Sequence, residues 1–238
     1  MSSRAMPTRV HHEHRAVAGG TARASVFGVS DGLVSNISLI LGFAGSGSDA
    51  SVVRLAGLAG LLAGAISMAA GEWVSVSAQN ELITREIEVE RRELARNPEA
   101  ETAELTRLYE SRGVPKGPAR LTAEAVMREP ETALNVHTRE ELGVGPEALA
   151  NPWLVAALSF TCFAVGAFLP VVPWFVGSSP AATIASIVIG VIAAAVVGTV
   201  IGRMAERPAV LTAVRQVGIL LVACGVTYLL GRLIGTAS

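Results

Sequence analysis

The sequence predicts an all-α integral membrane protein: five transmembrane helices, with a cytoplasmic helical metal-binding insertion between the second and third. Three observations carry the fold class. The chain has 238 residues, 51% of them hydrophobic, and a mean hydropathy of +0.49, more apolar than a soluble domain of this length. Its apolar residues fall in runs long enough for the ~30 Å hydrocarbon core, which a helix of about 20 residues crosses. Its charges are segregated: residues 81–150 hold 15 of the 20 acidic side chains and 10 of the 19 basic ones, a net of −5 against −1 for the whole chain. All of those acids are glutamates, and a surface of that sign excludes nucleic acid as a partner.

Residues 1–23 form a polar tail with His11, His12, His14 and the arginines Arg4, Arg9, Arg15 and Arg23. It lacks the apolar stretch of a signal peptide, and a His-rich run of this kind is more often incidental than a metal site. Residues 24–80 hold the first two spans. Span one, Ala24–Gly45, reads ASVFGVSDGLVSNISLILGFAG, and GSGSDAS makes a short turn after it. Span two runs from Leu55 to about Ala78 and has no Gly or Pro between Glu72 and Leu94. One long helix is therefore expected to leave the membrane and continue into water through LITREIEVERREL.

Residues 81–150 should form three or four short helices, broken at Asn97-Pro98, at GVPKGP (113–118), at Glu129-Pro130 and at Gly143-Val144-Gly145-Pro146. Residues 151–238 hold three more spans. No charged residue occurs from Ala148 to Gly202, a stretch too long for one crossing, and PVVPWFVGSSP at 170–180 divides it into Trp153–Val172 and Ala181–Gly202. The fifth span is about Ala209–Gly231. Trp153, Trp174 and Tyr228 fall near span ends, where amphipathic rings favour the headgroup zone. Runs such as GLAGLLAGA and GVIAAAVVG permit close helix approach, within one chain or between two. Cys162 and Cys224 lie in apolar runs and read as small hydrophobes rather than a disulfide or metal pair.

Arginine placement sets the orientation. The tail and the turn holding Arg203 and Arg207 are rich in arginine, whereas linker 46–54 has only Arg54 and linker 173–180 has none. The N-terminus and the insertion are expected in the cytoplasm and the C-terminus on the far side.

Asp31 stands out because an ionisable group inside a span costs at least ~2.5–3.5 kcal/mol at the bilayer centre and is kept mainly where it faces a pathway or partner. Ser30, Ser35, Asn36 and Ser38 are close by in the chain. In span two, Met68 offers a soft thioether and Glu72, four residues on, a carboxylate on the same helix face. Asp31, Met68 and Glu72 could make a mixed oxygen/sulfur site. In the insertion, Glu86, Glu90 and Glu93 share one helical face; Glu101 and Glu104 repeat the pattern on the next helix, with Leu105 and Leu108 expected on its other face. His137 and Glu141 are again four apart. Carboxylates suit hard or borderline cations, and an imidazole shifts the choice toward transition metals. Any single glutamate could equally be part of a solvated helix face.

With these residues in view, the chain resembles the vacuolar iron transporter family. The resemblance rests on VFGVSDGLVSNISLILGFAG, on SMAAGEWVSVSAQNEL, on the glutamate-rich insertion ending VHTREELGV, and on the three further spans. It implies a homodimer, not an enzyme and without a catalytic cofactor, that exchanges cytosolic Fe²⁺, and often Mn²⁺, for protons along a path near the first two spans. It places Asp31 and Met68 at the intramembrane metal positions. In the insertion it implies Glu90, Glu93, Glu101, Glu104, His137 and Glu141 as ligands for Fe²⁺, Mn²⁺ or Zn²⁺, held as substrate or regulatory metal. The plant pattern has Met where this chain has His137, and an imidazole ordinarily protonates near pH 6.5, which makes such a site sensitive to pH. The short form suggests a bacterial inner membrane, with lipid, metal ions and protons as partners. Two other classes account for the sequence less well: a membrane-anchored di-iron oxidase or sequestration protein, which would want a Glu-x-x-His pair that the chain lacks, and a non-transporting scaffold, which would leave Asp31 without a role.

Overall fold

A computed structural model describes residues 20–141, 143, 145 and 149–236. Among these the chain is helical throughout, with no strand, and five helices are long and apolar enough to cross a membrane. The His-rich part of the tail lies outside the described residues, as does part of the break expected at Gly143–Pro146.

Helix α1 spans Gly20–Gly45 and α2 spans Ala50–Arg96. At 1.5 Å per residue α2 is about 70 Å long, of which roughly 27 Å follow Ala78. The expected boundary between residues 80 and 81 therefore falls inside one unbroken helix. Asn97-Pro98 ends it, because proline cannot donate to the preceding turn but is well suited to start the next helix. Three short helices follow: α3 (Pro98–Ser111), α4 (Lys116–Val126) and α5 (Pro130–Glu141). Helix α6 (Pro152–Phe168) is capped by the Asn151 side chain, which accepts from the backbone N–H of Trp153 and of Leu154, and it tightens into a 3₁₀ turn over Leu169–Phe175. Helices α7 (Ala181–Met204) and α8 (Ala209–Gly235) complete the chain.

In the membrane part α1 is central and packs on α2, α6, α7 and α8. Its Leu33, Ile37 and Leu41 meet Ala194 of α7 and Leu220 and Cys224 of α8, while Ile40 joins Val53, Val171 and Trp174. Glycine permits the closest approaches. A Cβ on Gly32 would run into the Phe163 carbonyl of α6, and one on Gly166 into the Val29 carbonyl of α1. On α7 the buried residues recur every four positions, as Ala182, Ser186, Gly190, Ala194, Gly198 and Gly202. This stripe of small residues turns inward, and its large residues (Ile184, Val188, Ile192, Val196) are exposed, as a lipid-facing surface requires.

Two expectations need correction. Trp174 is not a headgroup-zone ring. It is fully buried, its indole N–H donates to Ser186 Oγ (3.0 Å), and its carbonyl accepts from Arg54 (2.8 Å), so the linker side of α7 closes over it. Trp153, by contrast, is 72% exposed and meets Trp73 of α2 in a tilted ring contact, with centroids 5.6 Å apart. Leu105 does not oppose Glu101: four residues apart on α3, both are buried on the same side. Cys162 and Cys224 are free thiols, and Cys224 packs in the core.

The α1–α6 contact supplies a stability test. Gly32→Ala and Gly166→Ala should each lower the thermal midpoint of the detergent-solubilised protein by several degrees, since overpacking of this kind costs about 1–3 kcal/mol. Gly218→Ala, where an added Cβ meets no atom within 4 Å, should leave it unchanged. Thermal unfolding followed by size-exclusion chromatography measures all three.

Candidate metal centre and membrane cavity

Beyond the membrane, the extension of α2 packs against α3 and α5. Periodicity decides which side chains meet: on α2 the buried positions of this segment are Ile83 and Glu90, on α3 they are Glu101 and Leu105, and on α5 they include Leu134, His137 and Thr138. An ion pair between Arg112 and Glu140 joins the end of α3 to α5. The result brings Glu90, Glu101, His137 and Glu141 together, with one ligand atom from each lying within 4.8 Å of all the others.

His137 is 1% exposed, and its Nδ1 faces three carboxylates: Glu90 Oε1 at 3.1 Å, Glu141 Oε1 at 3.3 Å and Glu101 Oε2 at 3.7 Å. One ring nitrogen carries at most one proton, so it cannot satisfy three acceptors. Glu90 Oε1 accordingly has no hydrogen bond of acceptable geometry. A divalent cation among Nδ1 and the carboxylate oxygens would take several donors at once and neutralise their repulsion. Opposite ligands at ~2.1–2.2 Å from a metal stand roughly 4.3 Å apart, so the cluster needs to contract by only a few tenths of an ångström.

The electrostatics record the strain of holding these acids together without a cation. The Glu90 carboxyl is pushed up to about 7, first by burial and then by the charges of Glu141, Glu101, Glu93 and Glu104. Glu101 is also raised, again mainly by burial, with His137 acting in the opposite direction. Of the six ligands that the resemblance implies, four thus converge, and Glu86, half-buried on the same helix as Glu90, is outside the converging set. Glu93 and Glu104 are exposed, outside the converging set yet close enough for their charge to act on Glu90.

In the membrane, a cavity of about 360 Å³ opens between α1 and α2. Asp31, Ser35, Asn36, Gly60, Ser67 and Met68 are among the residues that line it. Asp31 and Met68, distant in sequence, therefore share one cavity. Glu72, half-buried one turn further along α2, is not among its lining residues. Ser35 donates its hydroxyl to the Asp31 carbonyl, as polar residues in spans commonly do to the preceding turn. Asn36 was noted in the sequence only as a neighbour of Asp31; its position five residues on gave no signal that both would reach the same cavity.

Five helices long and apolar enough to cross a membrane, a carboxylate-and-imidazole cluster on the extension of the second, and a cavity between the first two define a multi-pass membrane protein with residues able to hold a metal ion. The sequence profile of the VIT family matches residues 22–232, and the chain belongs to that family. It is 39% identical over 168 residues to a vacuolar iron transporter of Acanthamoeba castellanii, covering 66% of this chain and 60% of that protein, so this match spans less than two thirds of the relative. It is 28% identical to vacuolar iron transporter 1 of Oryza sativa subsp. japonica over 95% of this chain and 90% of the relative. With vacuolar iron transporter 1 of Arabidopsis thaliana it shares 30% identity over 79% of this chain and 76% of the relative.

The raised Glu90 makes two measurable statements. A folded-state value of about 7 against an ordinary 4.5 means that the metal-free fold holds this proton more tightly than the unfolded chain does. The stability it contributes is full below the unfolded value and is lost as pH rises through about 7. Metal-free protein should therefore melt lower at about pH 8 than at about pH 6, Glu90→Gln should remove most of that difference, and Mn²⁺ should restore stability to the wild type at the higher pH. Calorimetry should further show Mn²⁺ affinity rising with pH through this window and falling at least about tenfold in Glu90→Gln. Equal melting of the variant and wild type across the range would remove the assignment.

Proposed function

We propose that the protein is a divalent-metal/proton antiporter that carries Fe²⁺, and also Mn²⁺, out of the cytoplasm as a homodimer. The observation that carries this reading is that Asp31 and Met68 line one cavity between α1 and α2, and that α2 also carries Glu90 of the converging ligand cluster. The relatives are named vacuolar iron transporters, which points to iron as cargo.

In the proposed cycle the cluster of Glu90, Glu101, His137 and Glu141 gathers metal at the cytoplasmic surface, with Glu93 and Glu104 contributing negative field at its rim. Asp31 and Met68 receive the ion in the membrane, and Glu72, between them and the extension, acts as a relay. Protons entering from the far side neutralise the carboxylates and release the metal there. Carboxylate and thioether together suit a borderline cation such as Fe²⁺ better than Mg²⁺, which keeps several waters and asks for all-oxygen octahedra.

The homodimer is supported by the exposure of Asp31 on the isolated chain. A carboxylate turned toward lipid is costly, and a second copy set against α1 and α2 would cover it. The distribution of arginines supports a cytoplasmic position for residues 81–150, as a metal-binding unit carried on the end of α2. A bacterial inner membrane is the proposed setting.

Proteoliposomes with an imposed pH gradient test the reading. Fe²⁺ and Mn²⁺ flux should follow the gradient and collapse when it is dissipated, and flux indifferent to it would refute antiport. Asp31→Asn keeps the side-chain shape and removes the charge, so flux should fall by at least about tenfold, the scale of loss for one metal-supporting group, with insertion undiminished. Near-normal flux in well-folded Asp31→Asn protein would take Asp31 off the path.

His137 provides a second test of the cytoplasmic site. A thioether is a softer donor than an imidazole, so His137→Met should weaken Mn²⁺ by about tenfold and Cd²⁺ by distinctly less. Unchanged Mn²⁺ affinity in well-folded His137→Met protein would mean that His137 is not a ligand.

A further inference from the structure

Asn36 is 2% exposed although it sits in a membrane span. Its Nδ2 uses both protons, donating to the Gly57 carbonyl of α2 (3.1 Å) and to the Ala167 carbonyl of α6 (2.7 Å). Only the nitrogen end of the amide can donate to two carbonyls, so these bonds fix which way the group points. Its other end, Oδ1, is buried and accepts no hydrogen bond. Such an orphan acceptor is rare in a folded protein and calls for a water or an ion.

That oxygen belongs to the wall of a cavity. Asn36 and Gly60 both line the cavity that holds Asp31 and Met68. A Cβ added to Gly60 would stand 2.7 Å from Oδ1 and 2.5 Å from Leu39 Cδ2, so only glycine lets α2 come this close to the amide. The locked amide thus carries one buried, unpaired neutral oxygen in the wall of that cavity.

We infer that Asn36 Oδ1 is a ligand for a divalent cation in the membrane cavity, acting beside the Asp31 carboxylate and the Met68 thioether. The inference deepens the transport reading, which supplies the reason for a cation to be there, but binding can be measured without transport. An amide oxygen is a hard, uncharged donor. It adds affinity for Mn²⁺ and Fe²⁺ without adding a negative charge to the span, and does little for a soft ion such as Cd²⁺. The same side chain ties α1, α2 and α6 together, so the helices that wall the cavity are aligned by the group that faces into it.

The test uses the full chain in detergent, with Glu90→Gln and His137→Ala introduced to silence the cytoplasmic cluster. Mn²⁺ is titrated and followed by electron paramagnetic resonance, and Cd²⁺ by competition. The background protein should bind Mn²⁺ at a site that Asp31→Asn abolishes. Asn36→Ala and Gly60→Ala should each weaken Mn²⁺ by about tenfold, the scale for losing one metal-supporting group, and Cd²⁺ by distinctly less. Asn36→Ala also removes two interhelical hydrogen bonds, so its elution profile is checked. Gly60→Ala crowds Oδ1 and the Leu39 side chain from the α2 side, so its profile is checked too, and a loss equal for Mn²⁺ and Cd²⁺ in the variants marks a packing defect and overturns the inference. Mn²⁺ binding that is absent from the background protein, or unchanged in well-folded Gly60→Ala, would overturn the inference. Wild-type protein that binds in this way but shows no flux in liposomes would instead sink the transport reading and leave the Asn36 site standing.

Discussion

An unbroken helix from Ala50 to Arg96 is the constraint on which the rest depends. A peptide rod of about 70 Å cannot bend freely, so the packing of its first half against α1 and α6 sets the direction in which its second half projects. Helices α3 and α5 then dock on that projection, and the position of Glu90 on it decides where their carboxylates and imidazole converge. A proline or glycine between Glu72 and Leu94 would uncouple the two halves; the chain has neither there.

The membrane half is assembled by close contact rather than by exclusion of water, since lipid is as apolar as the helix faces themselves. Gly32 and Gly166 let α1 and α6 meet backbone to backbone, and Gly198 and Gly202 in the small-residue stripe of α7 do the same toward α8. Within this packing several polar side chains are tied down: Trp174 to Ser186, Arg54 to the Trp174 carbonyl, and Asn36 to two neighbouring helices. Among the buried atoms of the described residues without a hydrogen-bond partner, Glu90 Oε1 and His137 Nε2 belong to the cluster of the insertion and Asn36 Oδ1 to a residue lining the membrane cavity, while Ser38 Oγ, Ser159 Oγ and Glu110 Oε1 belong to neither.

The two sites solve different problems with different chemistry. In the insertion, three carboxylates around one imidazole give a strong negative field, and burial raises the cost of leaving it uncompensated. In the membrane cavity, a single carboxylate is accompanied by neutral donors, since each further charge would add to the cost of desolvation in a low-dielectric span.

Much of this was legible in the sequence because it depends on local pattern. Hydropathy and length located all five spans, the lack of a breaker predicted the long helix, and Asn97-Pro98 and Glu129-Pro130 marked helix boundaries through backbone chemistry that needs no partner. The resemblance of VFGVSDGLVSNISLILGFAG and SMAAGEWVSVSAQNEL to one family pointed to Asp31 and Met68 before any cavity was visible. Tertiary structure decided what periodicity alone leaves open, namely which face of each helix meets another element. Spacing placed Leu105 opposite Glu101, yet α3 buries both toward its neighbours; a span-end position suggested a headgroup role for Trp174, yet α7 supplies Ser186 to bury it. Glu93 and Glu104 match Glu90 and Glu101 as helix-face glutamates, and only the docking of α5 selects Glu90 and Glu101 to face His137. Asn36 is the clearest case: its chemistry comes from two carbonyls on other helices and from a glycine opposite its oxygen, none of which is near it in the chain.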